Sequence, residues 1–153
     1  MTLSRVDADR LANDVVKRIG EPIRWRCQSK RHQRFRFEVN VVGGEHDGIM
    51  RLVGYASPSS WSYVLLGPRD ERIRKISNPK PGHMHPDRTE ADPHHKHYWD
   101  PDYDDLWTYV PKDIRWDDHN TVLIDFVAEC KIEPLHQLPT LAFQATLPEE
   151  SRE

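Results

Sequence analysis

Arg34-Phe35-Arg36-Phe37-Glu38-Val39-Asn40-Val41 alternates polar and apolar side chains with a period of two over eight residues. Successive side chains of an extended strand point to opposite faces, so this stretch reads as a strand with Phe35, Phe37, Val39 and Val41 on a core and Arg34, Arg36, Glu38 and Asn40 on the other side. A partner follows at once. Gly43-Gly44 and Asp47-Gly48 are turn-forming pairs, and Ile49 to Tyr55 is a second apolar-rich run, which together predict a hairpin. Trp61 to Leu66 and Ile73 to Ile76 read as two more strands joined through Gly67-Pro68-Arg69-Asp70.

Helices flank this meander. Near the N-terminus Ser4 is placed to cap a helix, with Asp7 in capping-box position and Val6, Leu11, Val15, Val16 and Ile19 on roughly one face before Gly20. Later, Asp117-Asp118 precede a stripe of Val122, Leu123, Phe126, Val127 and Cys130. The expected fold class is α+β: a single domain over residues 1–153, with a mainly antiparallel meander sheet, an N-terminal helix and a helix in the C-terminal half. Leu141 to Leu147 is expected as an edge strand, and residues 148–153 as a disordered tail.

Size and composition agree with one modest core. A chain of 153 residues can bury roughly 70% of its unfolded surface, and five tryptophans, five tyrosines and four phenylalanines supply large burial units. Cys27 and Cys130 lie far apart without CxxC spacing, which gives neither a disulfide framework nor a zinc cluster. No apolar run is long enough to span a bilayer and residues 1–20 lack the pattern of a signal peptide, so the expectation is a cytoplasmic protein with no membrane partner. GxSxG and GxxxxGK patterns are absent, which removes the usual signals of a serine hydrolase and of a phosphate-binding loop.

The net charge of −3 conceals local asymmetry. Arg24, Arg26, Lys30, Arg31, Arg34 and Arg36 occur without an intervening acid, whereas seven aspartates lie between Asp100 and Asp118, interleaved with Trp99, Tyr103, Trp107 and Tyr109. Arg24, Arg26, Arg34, Arg36, Arg72 and Arg74 would line one sheet face if the meander forms, a surface suited to a polyanion such as RNA. The acidic, aromatic stretch reads as a solvated surface or as a docking site for a basic partner.

Residues 78–105 are expected as a loop rich in histidine, proline and aspartate, and they hold five of the nine histidines. In extended backbone His83 with His85, and His95 with His97, form same-side pairs, while His94 and Lys96 face away. Imidazoles titrate near neutrality, so a histidine from each pair can serve as general acid and general base across a phosphodiester, with Arg74 and Lys96 stabilising phosphate charge. This reading needs no cofactor. The same four imidazoles, His83, His85, His95 and His97, could instead ligate a divalent metal such as zinc or manganese in a hydrolase, and a solvated linker accounts for the composition without any chemistry.

The basic strand Ile73-Arg74-Lys75-Ile76 followed by Pro93-His94-His95-Lys96-His97 resembles a small bacterial family of TumE-like toxins of toxin-antitoxin modules, over about Tyr63 to Tyr98. The chain departs from that pattern at Lys75-Ile76-Ser77, where the family carries arginine, tyrosine and aspartate. The resemblance implies a toxin, with ribonuclease activity and a cognate antitoxin as protein partner. A non-catalytic interaction protein, such as an antitoxin, inhibitor or defence component, is the other class open to these residues.

Overall fold

The computed structural model describes residues 3–14, 17–43 and 50–144. Seven strands, β2 (Arg26–Ser29), β3 (Arg34–Val41), β4 (Met50–Ala56), β5 (Trp61–Leu66), β6 (Arg72–Ser77), β7 (Lys96–Asp100) and β8 (Asp104–Tyr109), form an antiparallel sheet in which every strand lies beside its sequence neighbours. Helices α1 (Arg5–Asn13) and α2 (His119–Glu129) lie on one face of it, which gives the single α+β domain expected from the sequence. A two-residue parallel pair, β1 (Arg18–Ile19) with β9 (Glu133–Pro134), completes the ladder pattern.

Register makes the sheet two-sided. Phe37, Gly54, Tyr63, Ile76, Lys96 and Tyr109 pair strand to strand in one row, and the helices pack over this side. One residue along, Glu38, Val53, Val64, Lys75, His97 and Thr108 form the opposite row. Because paired residues share a face, the second row leaves the helix side and defines an open face. In the core row a Cβ on Gly54 would come within 2.2 Å of the Phe37 ring, so the missing side chain is what lets that ring lie across β4.

Ser4 and Asp118 cap the helices as their positions foretold: Ser4 Oγ accepts from the Asp7 amide at 3.1 Å and Asp118 Oδ1 from the Asn120 amide at 2.9 Å. The stripe Val122, Leu123, Phe126, Val127 and Cys130 is buried. Helix α1 is shorter than the sequence pattern implied. It ends at Asn13, with Asp14 already extended; the buried Lys17 ammonium donates to the carbonyls of Leu11 and Ala12 that the last turn leaves open, and Ile19 enters β1 instead. Burial lowers the Lys17 pKa to about 8. Val6 faces solvent, and Val15 and Val16 lie outside the described residues.

Two further expectations are corrected. Residues 78–105 are not loop throughout, since β7 and the start of β8 lie within them. Both strands carry polar residues on both faces, so they lack the apolar alternation that reveals a strand. Residues 141–144 form no strand: the Leu141 amide donates to Asn120 Oδ1 at 2.8 Å and Gln144 exchanges hydrogen bonds with the Gln33 amide, so side chains satisfy this backbone. The expected tail at 148–153 and most of the turn after Gly43 lie outside the described residues. Among the described residues no helix is long and apolar enough to cross a membrane.

Candidate functional site

Strand β7 carries His97 on the open face, directly paired with Lys75 of β6 and Thr108 of β8. His95 stands just before the strand, and its parity puts it beside His97. The excursion that precedes β7 folds back on itself through a bridge between Met84 and Glu90, with the His85 amide donating to the Thr89 carbonyl and the Ala91 amide to the His83 carbonyl, both at 2.8 Å. Extended backbone over these residues turns His83 and His85 to one side and leaves Met84 exposed.

The two stretches meet. Ring centroids lie 4.8 Å apart for His95 and His97, 5.3 Å for His83 and His95, 5.0 Å for His83 and His97, and 6.0 Å for His83 and His85. His95 and His97 are buried, whereas His83 and His85 are half-buried at the solvent edge.

Each ring is held by a specific partner. His95 Nδ1 lies 2.5 Å from the Asp92 carbonyl and His97 Nδ1 2.7 Å from the Asp105 carbonyl. A carbonyl only accepts, so both Nδ1 atoms carry hydrogen and the neutral rings present bare Nε2 lone pairs. Those two Nε2 atoms face each other at 3.2 Å. His83 donates through Nε2 to the Leu106 carbonyl at 2.9 Å, which leaves its Nδ1 as the acceptor. His85 lies between hydroxyls, with Nδ1 2.9 Å from Thr89 and Nε2 2.5 Å from Thr108, and its ring stacks on Trp107.

Burial is the largest influence on both inner rings and lowers their pKa values. For His95 the Asp92 carbonyl opposes this while His83, His85 and Lys80 add to it. For His97 the Asp105 carbonyl opposes it and the charge of His95 adds to it. The inner pair is therefore neutral at pH 7. Lys75 is likewise lowered, first by burial, against the field of Asp105.

Beyond Lys75 the open face continues as a groove of about 400 Å³ whose lining includes Arg36, Glu38, Arg51, Tyr55, Ser62, Asp70, Arg72 and Lys75. All three of its arginines are already paired: Arg36 with Glu38 at 2.7 Å, Arg51 with Glu38 and Asp70, and Arg72 with Asp105 at 3.4 Å. Arg24 and Arg26 line a neighbouring groove of about 650 Å³ that shares Arg36 and Glu38, and Arg34 stands further along β3 beside Tyr55.

Arg74 and Lys96 are placed elsewhere. Both lie on the helix side, Arg74 bonded to Asp9 of α1 at 2.8 Å and Lys96 to Glu129 of α2 at 3.0 Å, so the sheet separates them from the imidazoles. The physical reason is parity: Arg74 pairs with Leu65 and Lys96 with Ile76, both core-facing. His94 is exposed and stands against Trp116. Conversely, Lys75, Arg51, Tyr55, Thr89 and Thr108 join the site unannounced. Strand alternation assigns Lys75, Arg51, Tyr55 and Thr108 to the open face once the register is known, but Thr89, in the excursion before β7, carries no such signal.

Among the described residues no set of three or more histidine, cysteine, aspartate or glutamate side chains is arranged to hold a metal ion. Comparison with models of protein families, with curated proteins and with solved structures yields no match.

Proposed function

We propose that this chain cleaves phosphodiester bonds in RNA and acts as the toxin of a toxin-antitoxin or phage-defence pair. One observation carries the reading: four imidazoles from two separate stretches meet beside a cross-strand row in which His97 pairs with Lys75, on a sheet face that continues into a groove lined by Arg36, Arg51 and Arg72.

The division of labour follows from exposure and hydrogen bonding. No phosphoryl group fits between His95 and His97, whose Nε2 atoms are 3.2 Å apart. The proton transfers therefore fall to the outer rings. His83, fixed as an acceptor at Nδ1, removes the proton from a ribose 2′-hydroxyl as it attacks the adjacent phosphorus. His85 donates through Nδ1 to the Thr89 hydroxyl, whose own proton goes to Asp87 at 2.6 Å, while the Thr108 hydroxyl at Nε2 serves either ring form; the ring enters as imidazolium and returns a proton to the departing 5′-oxygen. The products are a 2′,3′-cyclic phosphate and a free 5′-hydroxyl. Lys75 and Arg72, which line the groove beside His97, would stabilise charge on the phosphoryl oxygens, and Tyr55 would offer a ring on which a base can stack.

The test uses purified protein, single-stranded RNA and analysis of the cleavage ends. Cyclic phosphate ends are expected, with the rate reduced about 10²-fold or more in His83→Asn and His85→Asn. Cleavage by the doubly substituted protein at the unsubstituted rate would overturn the assignment.

A further inference from the structure

The inner pair is left unused by that chemistry, and its geometry is unusual. Two neutral imidazoles each spend their only N–H on a backbone carbonyl, His95 on that of Asp92 and His97 on that of Asp105, and then turn their remaining lone pairs toward each other at 3.2 Å. Neither Nε2 carries a hydrogen to offer the other, so the contact sets two acceptors face to face and is unfavourable unless an electrophile occupies the space they share.

We infer that His95 and His97 together bind one divalent late first-row transition cation, such as zinc, through their Nε2 atoms. The spacing fits the chemistry. Two nitrogens at about 2.0–2.1 Å from a tetrahedral zinc are separated by roughly 3.3 Å, close to the separation already present. The outer contacts fit as well, because a metal-binding histidine characteristically donates its other ring nitrogen to a carbonyl or carboxylate, which fixes the tautomer and aims the lone pair. Imidazole selects zinc, copper, nickel or cobalt over magnesium and calcium, which prefer oxygen.

A shared proton is the competing electrophile. It would convert one buried ring to imidazolium, a state that burial and the neighbouring Lys75 and Lys80 all disfavour. A divalent cation meets the same burial and the same ammonium groups, and its advantage is that it takes both Nε2 lone pairs as ligands at once and recruits water or an anion on its open side. The His83 ring, 5.3 and 5.0 Å from the two inner rings, borders that open side, but its Nε2 is committed to the Leu106 carbonyl. The protein thus supplies two nitrogens, and the remaining positions go to solvent or to an anionic oxygen. This inference stands apart from the RNA reading, because it uses neither His83 nor His85 as ligand.

Full-length protein stripped with chelator and dialysed is titrated with zinc chloride by calorimetry, and with cobalt chloride by visible absorption. One equivalent of zinc should bind, magnesium should not, and cobalt should develop the absorption of a low-coordinate site. Asparagine can keep the hydrogen bond that imidazole Nδ1 makes while lacking Nε2, so His95→Asn and His97→Asn should each abolish binding, whereas His94→Asn should leave it intact. Nitrogen-15 spectra of the unsubstituted protein provide a reading that does not depend on the variants folding: zinc should move the Nε2 resonances of His95 and His97. The inference is overturned if no saturable one-to-one uptake occurs, if uptake persists in the doubly substituted protein, or if those resonances stay still.

Discussion

Lys96 is 1% exposed and sits in the core row between Ile76 and Tyr109, so its charge must be compensated locally. Glu129 Oε1 lies 3.0 Å from its ammonium and also accepts from the Tyr109 hydroxyl at 2.9 Å, and the Phe126 ring lies 4.7 Å beneath the charge. Glu129→Gln removes the compensating charge and leaves the ammonium enclosed. Breaking a buried pair in this way costs about 3–5 kcal/mol, and the lower end applies because the Glu129 side chain retains 22% exposure. In a chain of this size 1 kcal/mol moves Tm by about 2–4 °C, so a fall of roughly 6–12 °C is expected in calorimetry. Replacing both partners by apolar groups, Lys96→Met with Glu129→Leu, removes the need for compensation and should restore stability to within about 1–2 kcal/mol of the starting protein. Should Glu129→Gln shift stability by less than about 1 kcal/mol, or the double replacement prove as damaging as the single one, Lys96 is not the enclosed charge that the packing indicates.

Acid should weaken the fold through the histidine pair. His95 and His97 have folded pKa values below the ordinary imidazole value near 6.5, so the unfolded chain binds more protons below that value and stability falls as pH drops through it; urea midpoints measured from pH 7.5 to 4.5 should decline, and less steeply in His97→Asn. Gly54→Ala should cost about 1–3 kcal/mol in chemical denaturation, because the new methyl would lie within 2.2 Å of the Phe37 ring, and a loss under about 0.5 kcal/mol would mean that the ring moves aside freely. Lys75→Ala should weaken binding of single-stranded RNA measured by fluorescence anisotropy and lower its salt dependence by about one phosphate contact, whereas Arg74→Ala, altered on the helix side, should leave the salt dependence unchanged.

Local pattern was sufficient for much of this molecule. The Arg34 to Val41 alternation, the cap residues Ser4 and Asp118 and the apolar stripe of α2 each specify their element through short-range geometry, and an unbroken run of hairpins leaves little choice of strand order. Pairing of His83 with His85 and of His95 with His97 was likewise legible, since parity in extended backbone is a property of adjacent residues. Strands β7 and β8 were not legible, because their polar faces are matched to partners on other elements: Lys96 to Glu129 of α2 and His97 to Lys75 of β6.

Register decided what composition left open. A string of five residues, Pro93 to His97, holds both an ammonium turned into the core and two imidazoles turned away from it, and nothing in the string states which side the helices cover. Only the pairing of Lys96 with Ile76 and of His97 with Lys75 settles it, sending Arg74 and Lys96 behind the sheet and gathering the imidazoles with Lys75 in front. The residue types come from the chain alone, but their convergence depends on distances between segments, which a one-residue shift of register would invert.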